Sequence, residues 1–101
     1  MSREDIPVKV HRRLSGLLPR FIERCRRDAA ALRNAAEGGE WAAAQRIGHM
    51  LLGSGGGYGL DEISKSGREM ESAAKRQDAS ALRQLSERLE DYLARLKPVF
   101  E

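Results

Sequence analysis

The stretch Ile47-Gly48-His49-Met50-Leu51-Leu52-Gly53-Ser54-Gly55-Gly56-Gly57-Tyr58-Gly59-Leu60 holds one of the chain's two histidines and more than half of its ten glycines. Two readings compete for it. As a phosphate-cradling loop it would belong to an α/β fold. However, no strand precedes it, no Lys-Ser/Thr pair follows, and the dinucleotide spacing of glycines is not met. As the C-terminal part of an amphipathic helix it fits its neighbours. Ala43, Ala44, Ile47, Met50, Leu51 and Ser54 fall on the inner half of a 3.6-residue wheel, with Trp41 at the flank. The helix reading places this element from about Glu40 into the glycines, and it decides the fold class.

Outward from this helix the chain keeps helical spacing. Upstream, Phe21, Ile22, Cys25, Ala29, Leu32 and Ala36 mark an apolar face that Gly38-Gly39 terminates, a pair suited to the left-handed conformation at a helix end. Before it, a short helix is expected from about His11 to Leu18, with Leu14 and Leu17 on one side. Pro19 either kinks that helix or starts the next, because it lacks the donor an interior position requires. Met1 to Pro7 reads as a flexible arm, although Ile6, Val8 and Val10 have the character to pack on the bundle. Downstream, Leu60, Ile63, Gly67, Met70 and Ala74 form the buried face of a helix from about Gly59 to Gln77. Asp78 is placed to N-cap the last helix, whose seam is Leu82, Leu85, Leu89, Leu93 and Leu96 before Pro98 ends it. Short connections between long helices imply antiparallel neighbours. The expected fold is all-α: an antiparallel up-down four-helix bundle with an additional short N-terminal helix, one domain over residues 1–101.

Composition agrees. The chain is 41% hydrophobic and 33% charged but only 5% aromatic, and the β-branched and aromatic residues that strands favour are scarce. A single cysteine excludes an internal disulfide and a Cys-rich metal site. No apolar run reaches bilayer length, and the first residues lack the apolar centre of a signal peptide, so a soluble cytoplasmic protein is expected. The formal charge of +3 is uneven: Lys9, Arg12, Arg13, Arg20, Arg24, Arg26 and Arg27 face Glu23 alone in that stretch. Such a patch can hold nucleic acid phosphates. With Phe21 its only aromatic, and that one on the apolar face, it reads better as a solvated face that steers an acidic protein.

The orientation of His49 follows from the wheel. Ile47 and Leu51 lie roughly 160° from it around the axis. With those two facing the core, His49 faces water beside Ala42, Gln45, Arg46, Leu52, Gly53 and Gly56. Glycine inside a helix costs about 1 kcal/mol relative to alanine. Two glycines on a wet face, at Gly53 and Gly56, therefore suggest clearance for an approaching protein. Acid–base catalysis wants a carboxylate or nucleophile beside the imidazole, and none shares this face. Metal binding wants several ligands; His11 is distant in sequence and Cys25 belongs to a core stripe. What remains is a ring nitrogen that accepts a phosphoryl group covalently.

At these residues the chain resembles a histidine-containing phosphotransfer (HPt) domain of multistep two-component phosphorelays. The matching positions are Gly48, His49, Gly53, Ser54 and Gly59, followed by Ile63, Met70 and Glu71 in the family's apolar and acidic pattern. The run from Leu17 to Ile22 resembles the helix preceding the bundle in small free-standing members. The resemblance implies a phosphoacceptor at His49 that exchanges phosphate with an aspartate of a response-regulator receiver domain, and a hybrid sensor histidine kinase as a further partner. Mg²⁺ and the acidic pocket would then belong to the receiver, leaving this chain without a cofactor or metal of its own. Gly53 would clear the way for the incoming active site, and Gln45, Arg46 and Ser54 would contact phosphoryl oxygens or the partner backbone. The docking surface would be the exposed side of the helices ending at Gly38 and carrying His49. A monomer is expected.

One position departs from the family pattern. Where a lysine usually follows the histidine by three residues, this chain has Leu52. A cation there would stabilise the phosphorylated form. Arg46, one turn earlier, is the candidate substitute, while Leu52 would enlarge apolar contact with the receiver. Two alternatives stand beside the phosphorelay reading: a non-transferring HPt-like regulator that binds a receiver or kinase, and a small basic helical protein that binds nucleic acid.

Overall fold

The computed structural model describes residues 4–101. Four helices make up most of it: α1 (Leu18–Gly38), α2 (Trp41–Gly57), α3 (Asp61–Lys75) and α4 (Ala79–Arg95). Two short strands, β1 (Ile6–Val10) and β2 (Leu96–Phe100), bracket them. Helices α1 and α3 each pack against both α2 and α4, closing a ring around one core. Its largest fully buried side chains include Leu18, Leu32, Leu51, Leu60, Ile63, Met70, Leu82 and Leu89.

The three connections between helices are one motif used three times. At each, the N-cap residue of the next helix donates its N–H five residues back: Glu40 to Ala35, Leu60 to Gly55 and Asp78 to Ala73, at 2.9, 2.9 and 3.0 Å. The residue before it sits in the left-handed region, Gly39 at φ 66, Gly59 at φ 72 and Gln77 at φ 56. These are Schellman turns, which satisfy the last helical carbonyls and reverse the chain within a few residues. Glycine fits two of the positions, and Gln77 fills the third against its steric preference. At the other end of the last turn, the Asp78 side chain accepts from the Ala81 N–H at 3.0 Å and caps α4. Pro19 stands in the first turn of α1 and does not kink it, its fixed φ suiting a helix start.

Four expectations are corrected. The N-terminal helix expected from His11 to Leu18 is reduced to a 3₁₀ turn over Arg12–Leu14. A segment so short, ended by Gly16 and Pro19, cannot recover the cost of helix nucleation. Of the arm expected over residues 1–7, residues 1–3 lie outside the described residues, and Ile6 and Pro7 already belong to β1. The seam of α4 stops one leucine early. Leu96 is extended and begins β2, because Pro98 disfavours helical backbone in the residues before it. Lastly, the buried stripe of α2 is Ala44, Gly48, Leu51 and Gly55, so Met50, expected inside, is 42% exposed.

Strands β1 and β2 pair in parallel, Ile6 opposite Leu96 through Val10 opposite Phe100, tying the two ends of the described chain together. Val10 is buried and Val8 packs on the core. The Val10 carbonyl accepts from Glu101 at 3.1 Å, and the Glu101 carbonyl accepts from Arg12 at 2.8 Å. Because backbone polar groups alternate between a strand's two edges, Pro7 and Pro98 fall on the outer edges, where a missing donor discourages further strand addition.

Candidate functional site

Helix α2 reaches α3 more closely than any ordinary helix pair allows, and glycine is the reason. A Cβ on Gly48 would lie 2.7 Å from the Glu71 nitrogen and the Gly67 oxygen. One on Gly67 would lie 2.5 Å from the Leu52 nitrogen, and one on Gly55 would lie 2.7 Å from the Ser64 nitrogen. The Ser64 hydroxyl, brought in by the same contact, donates to the Leu52 carbonyl at 2.8 Å.

This close crossing sets the surroundings of His49. The residue follows Gly48 and stands on the shoulder of α2 nearest α3, with its side chain 73% exposed. There Glu71 of α3, itself only 21% exposed, places a carboxylate oxygen 3.3 Å from Nδ1. The expectation that no carboxylate adjoins the imidazole is thus corrected. A single-helix wheel cannot show a group that arrives from the next helix. The sequence did carry one signal, the match of Glu71 to an acidic family position, but nothing attached it to the ring. With Nδ1 facing Glu71, Nε2 is the nitrogen turned to solvent.

The other expected site residues divide into two groups. Gln45 and Arg46 line the same shallow depression as His49 and Glu71, together with Ala42. Gly53 is exposed with nothing within 4 Å of where a Cβ would stand, so the space above it is open. Gly56 is exposed too, although a Cβ there would lie 3.7 Å from the Ser64 hydroxyl. Leu52 is half-buried. Ser54, expected near the histidine, faces the α1 side instead, lining a cleft with Leu17, Arg20, Arg24 and Gly57. Its position on the wheel, about 140° from His49, explains the separation. The second histidine, His11, accepts from the Arg13 N–H at 3.2 Å and caps the 3₁₀ turn.

Cys25 in the core and Asp28 beside it titrate above their ordinary ranges. Burial, with Asp28 nearby adding to it, pushes the Cys25 thiol up to about 12. Burial also raises Asp28, against the pull of Arg24 and Arg27, and one of its oxygens is enclosed without a partner. Among the described residues no three His, Cys, Asp or Glu side chains converge as metal ligands, and no helix is long and apolar enough to cross a membrane.

A ring of four helices that presents one imidazole on an open face, backed by a carboxylate from the adjacent helix, defines a class by its geometry: small helical modules with an exposed, carboxylate-backed histidine. The comparison with known families narrows the class. The Hpt domain model matches residues 16–98, and the chain belongs to that family. Hpt domains are phosphocarriers, not catalysts, and act by histidine phosphotransfer in phosphorelays with receiver domains or kinases. No curated protein and no solved structure matches the chain.

Proposed function

We propose that His49 is the phosphoacceptor, and that it exchanges its phosphoryl group with the aspartate of a response-regulator receiver domain. The observation that carries this reading is the Glu71 carboxylate 3.3 Å from Nδ1 on an otherwise exposed ring. Such a neighbour holds the proton on Nδ1, orients the ring, and leaves the Nε2 lone pair free. In the forward step that lone pair attacks the phosphorus of the aspartyl phosphate. The P–N bond forms as the acyl P–O bond breaks, and the aspartate leaves as a carboxylate. The ring, now bonded to phosphorus at Nε2 and to hydrogen at Nδ1, carries a positive charge that Glu71 balances. Return of the phosphoryl group to an aspartate retraces the same path.

Supporting roles follow from position. Gly53 gives the receiver its approach, and Gly56 extends the low surface one turn further. Arg46, in no ion pair among the described residues, supplies the cation that Leu52 does not, and Gln45 beside it offers an amide to phosphoryl oxygens. Leu52 adds apolar contact. Ser54 belongs to the docking rim towards α1. Mg²⁺ and the acidic pocket belong to the receiver, and a hybrid sensor histidine kinase is the expected source of phosphate upstream. We place the protein in the cytoplasm as a monomeric carrier.

The test is phosphotransfer from a panel of phosphorylated receiver domains to the wild type and to His49→Gln. Acid-labile phosphate should appear on the wild type alone. Label that survives in His49→Gln would move the phosphoacceptor to another residue, and a wild type that binds receivers without acquiring phosphate would replace this reading with the non-transferring regulator. In the same assay Arg46→Ala should shorten the lifetime of the phosphohistidine; an unchanged lifetime assigns Arg46 no role.

A further inference from the structure

The exposed face that carries His49 continues beyond α2. His49 occupies the shoulder towards α3, and Met50 lies about 100° further round, towards α1. Past Met50 the surface runs into the cleft shared by Leu17, Arg20 and Arg24 with Ser54 and Gly57 of α2. Leu17 is 54% exposed and Met50 42%, so apolar surface bridges the two helices.

The arginines of α1 are sorted by flank. Arg26 is paired with Glu23 at 3.7 Å, and Arg33 reaches Glu90 of α4 at 3.0 Å. Both stand on the side of α1 turned towards α4. Arg20, Arg24 and Arg27 recur four and three residues apart on the opposite flank, towards α2. All three are exposed, and none lies within ion-pair distance of an acid among the described residues. The one carboxylate on that flank, Asp28, is half-buried beneath them and offsets the row only in part. The row therefore presents positive charge on the flank beside His49, where an acidic partner surface would meet it.

Distance puts the row inside a partner's footprint. From His49 to Gly57 is roughly 12 Å along the axis. A typical protein contact covers about 800 Å² on each partner, a disc roughly 30 Å across. A receiver seated on His49 therefore also covers the cleft and its arginines.

We propose that Arg20, Arg24 and Arg27 form the selective half of the docking surface, and that the receiver taken by this chain carries an acidic patch beside its phosphoacceptor aspartate. Leu17 and Met50 supply the apolar contact between that patch and His49. The row acts on encounter and on the choice of receiver, not on the transfer step. The proposal rests on the phosphotransfer reading of His49.

The test compares the wild type with R20E/R24E/R27E and R20K/R24K/R27K, using phosphorylated receivers graded by surface charge near the phosphorylated aspartate, at low and high salt. Phosphoramidate, a donor that needs no docking, should label His49 equally in all three proteins and so report the fold and the nucleophile. Transfer to the wild type should be fastest from acidic receivers and should fall with salt. The glutamate variant should lose about tenfold or more of that rate at low salt, together with its salt dependence, and the lysine variant should keep both. Equal rates and equal salt slopes in the wild type and the glutamate variant would overturn the proposal, as would indifference to receiver charge. A salt-sensitive complex with duplex DNA that disappears in the glutamate variant, with transfer unaffected, would assign the row to nucleic acid instead. The phosphotransfer reading fails differently: no receiver labels the wild type at all.

Discussion

His49 and Glu71 lie on different helices, so neither residue's role can be read from its own neighbours. Their contact is partly solvated and adds little to stability, on the order of 0.5 kcal/mol. Its effect should be on chemistry. Glu71→Gln keeps a polar group near Nδ1 but removes the charge that balances the phosphorylated ring. With about 1.4 kcal/mol corresponding to a factor of ten, transfer should slow about tenfold or more with a nearly unchanged melting temperature. Stopped-flow transfer and thermal melts on the same preparation check this. Gly53 should separate stability from activity in the opposite sense. It is helical with open space above it, so Gly53→Ala should stabilise by about 0.5–1 kcal/mol. Gly53→Gln, also tolerated by the helix, should slow transfer sharply by standing where the receiver must approach. Faster or equal transfer in Gly53→Gln would remove the clearance role. At this scale the exposure of His49 and Gly53 was legible from the wheel alone, while Glu71 was not, because its contribution depends on how two helices cross.

At the scale of elements, the glycines of α2 serve two opposite ends. Gly53 leaves space open outside, whereas Gly48 and Gly55 remove space inside, where α3 with Gly67 lies against them. Sequence spacing identified the first group and treated the later glycines as a helix end. Nothing in one helix's pattern shows that its neighbour comes within backbone contact. Gly67→Ala tests the crossing: its three nearest atoms are all backbone, at 2.5, 2.6 and 3.0 Å, and cannot swing aside. Overpacking costs about 1–3 kcal/mol and helix propensity returns up to about 1, so a net loss near 2 kcal/mol is expected. In a domain of this size that is a fall of roughly 10 °C, measurable by circular dichroism. Gln77 offers the reverse experiment. It holds the left-handed position of a Schellman turn at φ 56. Gln77→Gly should relieve about 1–2 kcal/mol of backbone strain and lose part of that to unfolded-chain entropy, a net gain of about 0.5–1 kcal/mol.

For the whole molecule, the parallel β1–β2 ribbon is the feature least like the expected fold, and β1 lies wholly outside the stretch matched by the family. Its strands carry too few residues for an alternating pattern to stand out, and each contains a proline that argues against a strand when read alone. They form because the helical ring brings the two ends of the described chain side by side, where Val10 gains a buried place. Inside the ring, Cys25 reports on global integrity. Its thiol ionises at about 12 in the fold against 9.0 ordinarily, so the folded state holds the proton more tightly than the unfolded chain does. Its contribution to stability is therefore complete below pH 9 and declines as pH rises towards 12. Denaturant melts at rising alkaline pH should show a steeper loss for the wild type than for Cys25→Ala. Alkylation of Cys25 at neutral pH should proceed only as fast as the protein unfolds.

What the sequence determined by itself was periodic or punctuated. The apolar stripes of four helices, the glycines and Asp78 at their ends, and the outward direction of His49 all follow from 3.6-residue geometry and local backbone preference. The tertiary structure decided what depends on distance between elements. It set the crossing that glycines allow between α2 and α3, the carboxylate that this crossing delivers to Nδ1, and the pairing of the two strands. It also sorted the arginines of α1 into those neutralised by a neighbour and those left on the flank beside His49. Contacts across elements carry no local signature, because each half of the pair is an ordinary residue until the fold brings in the other.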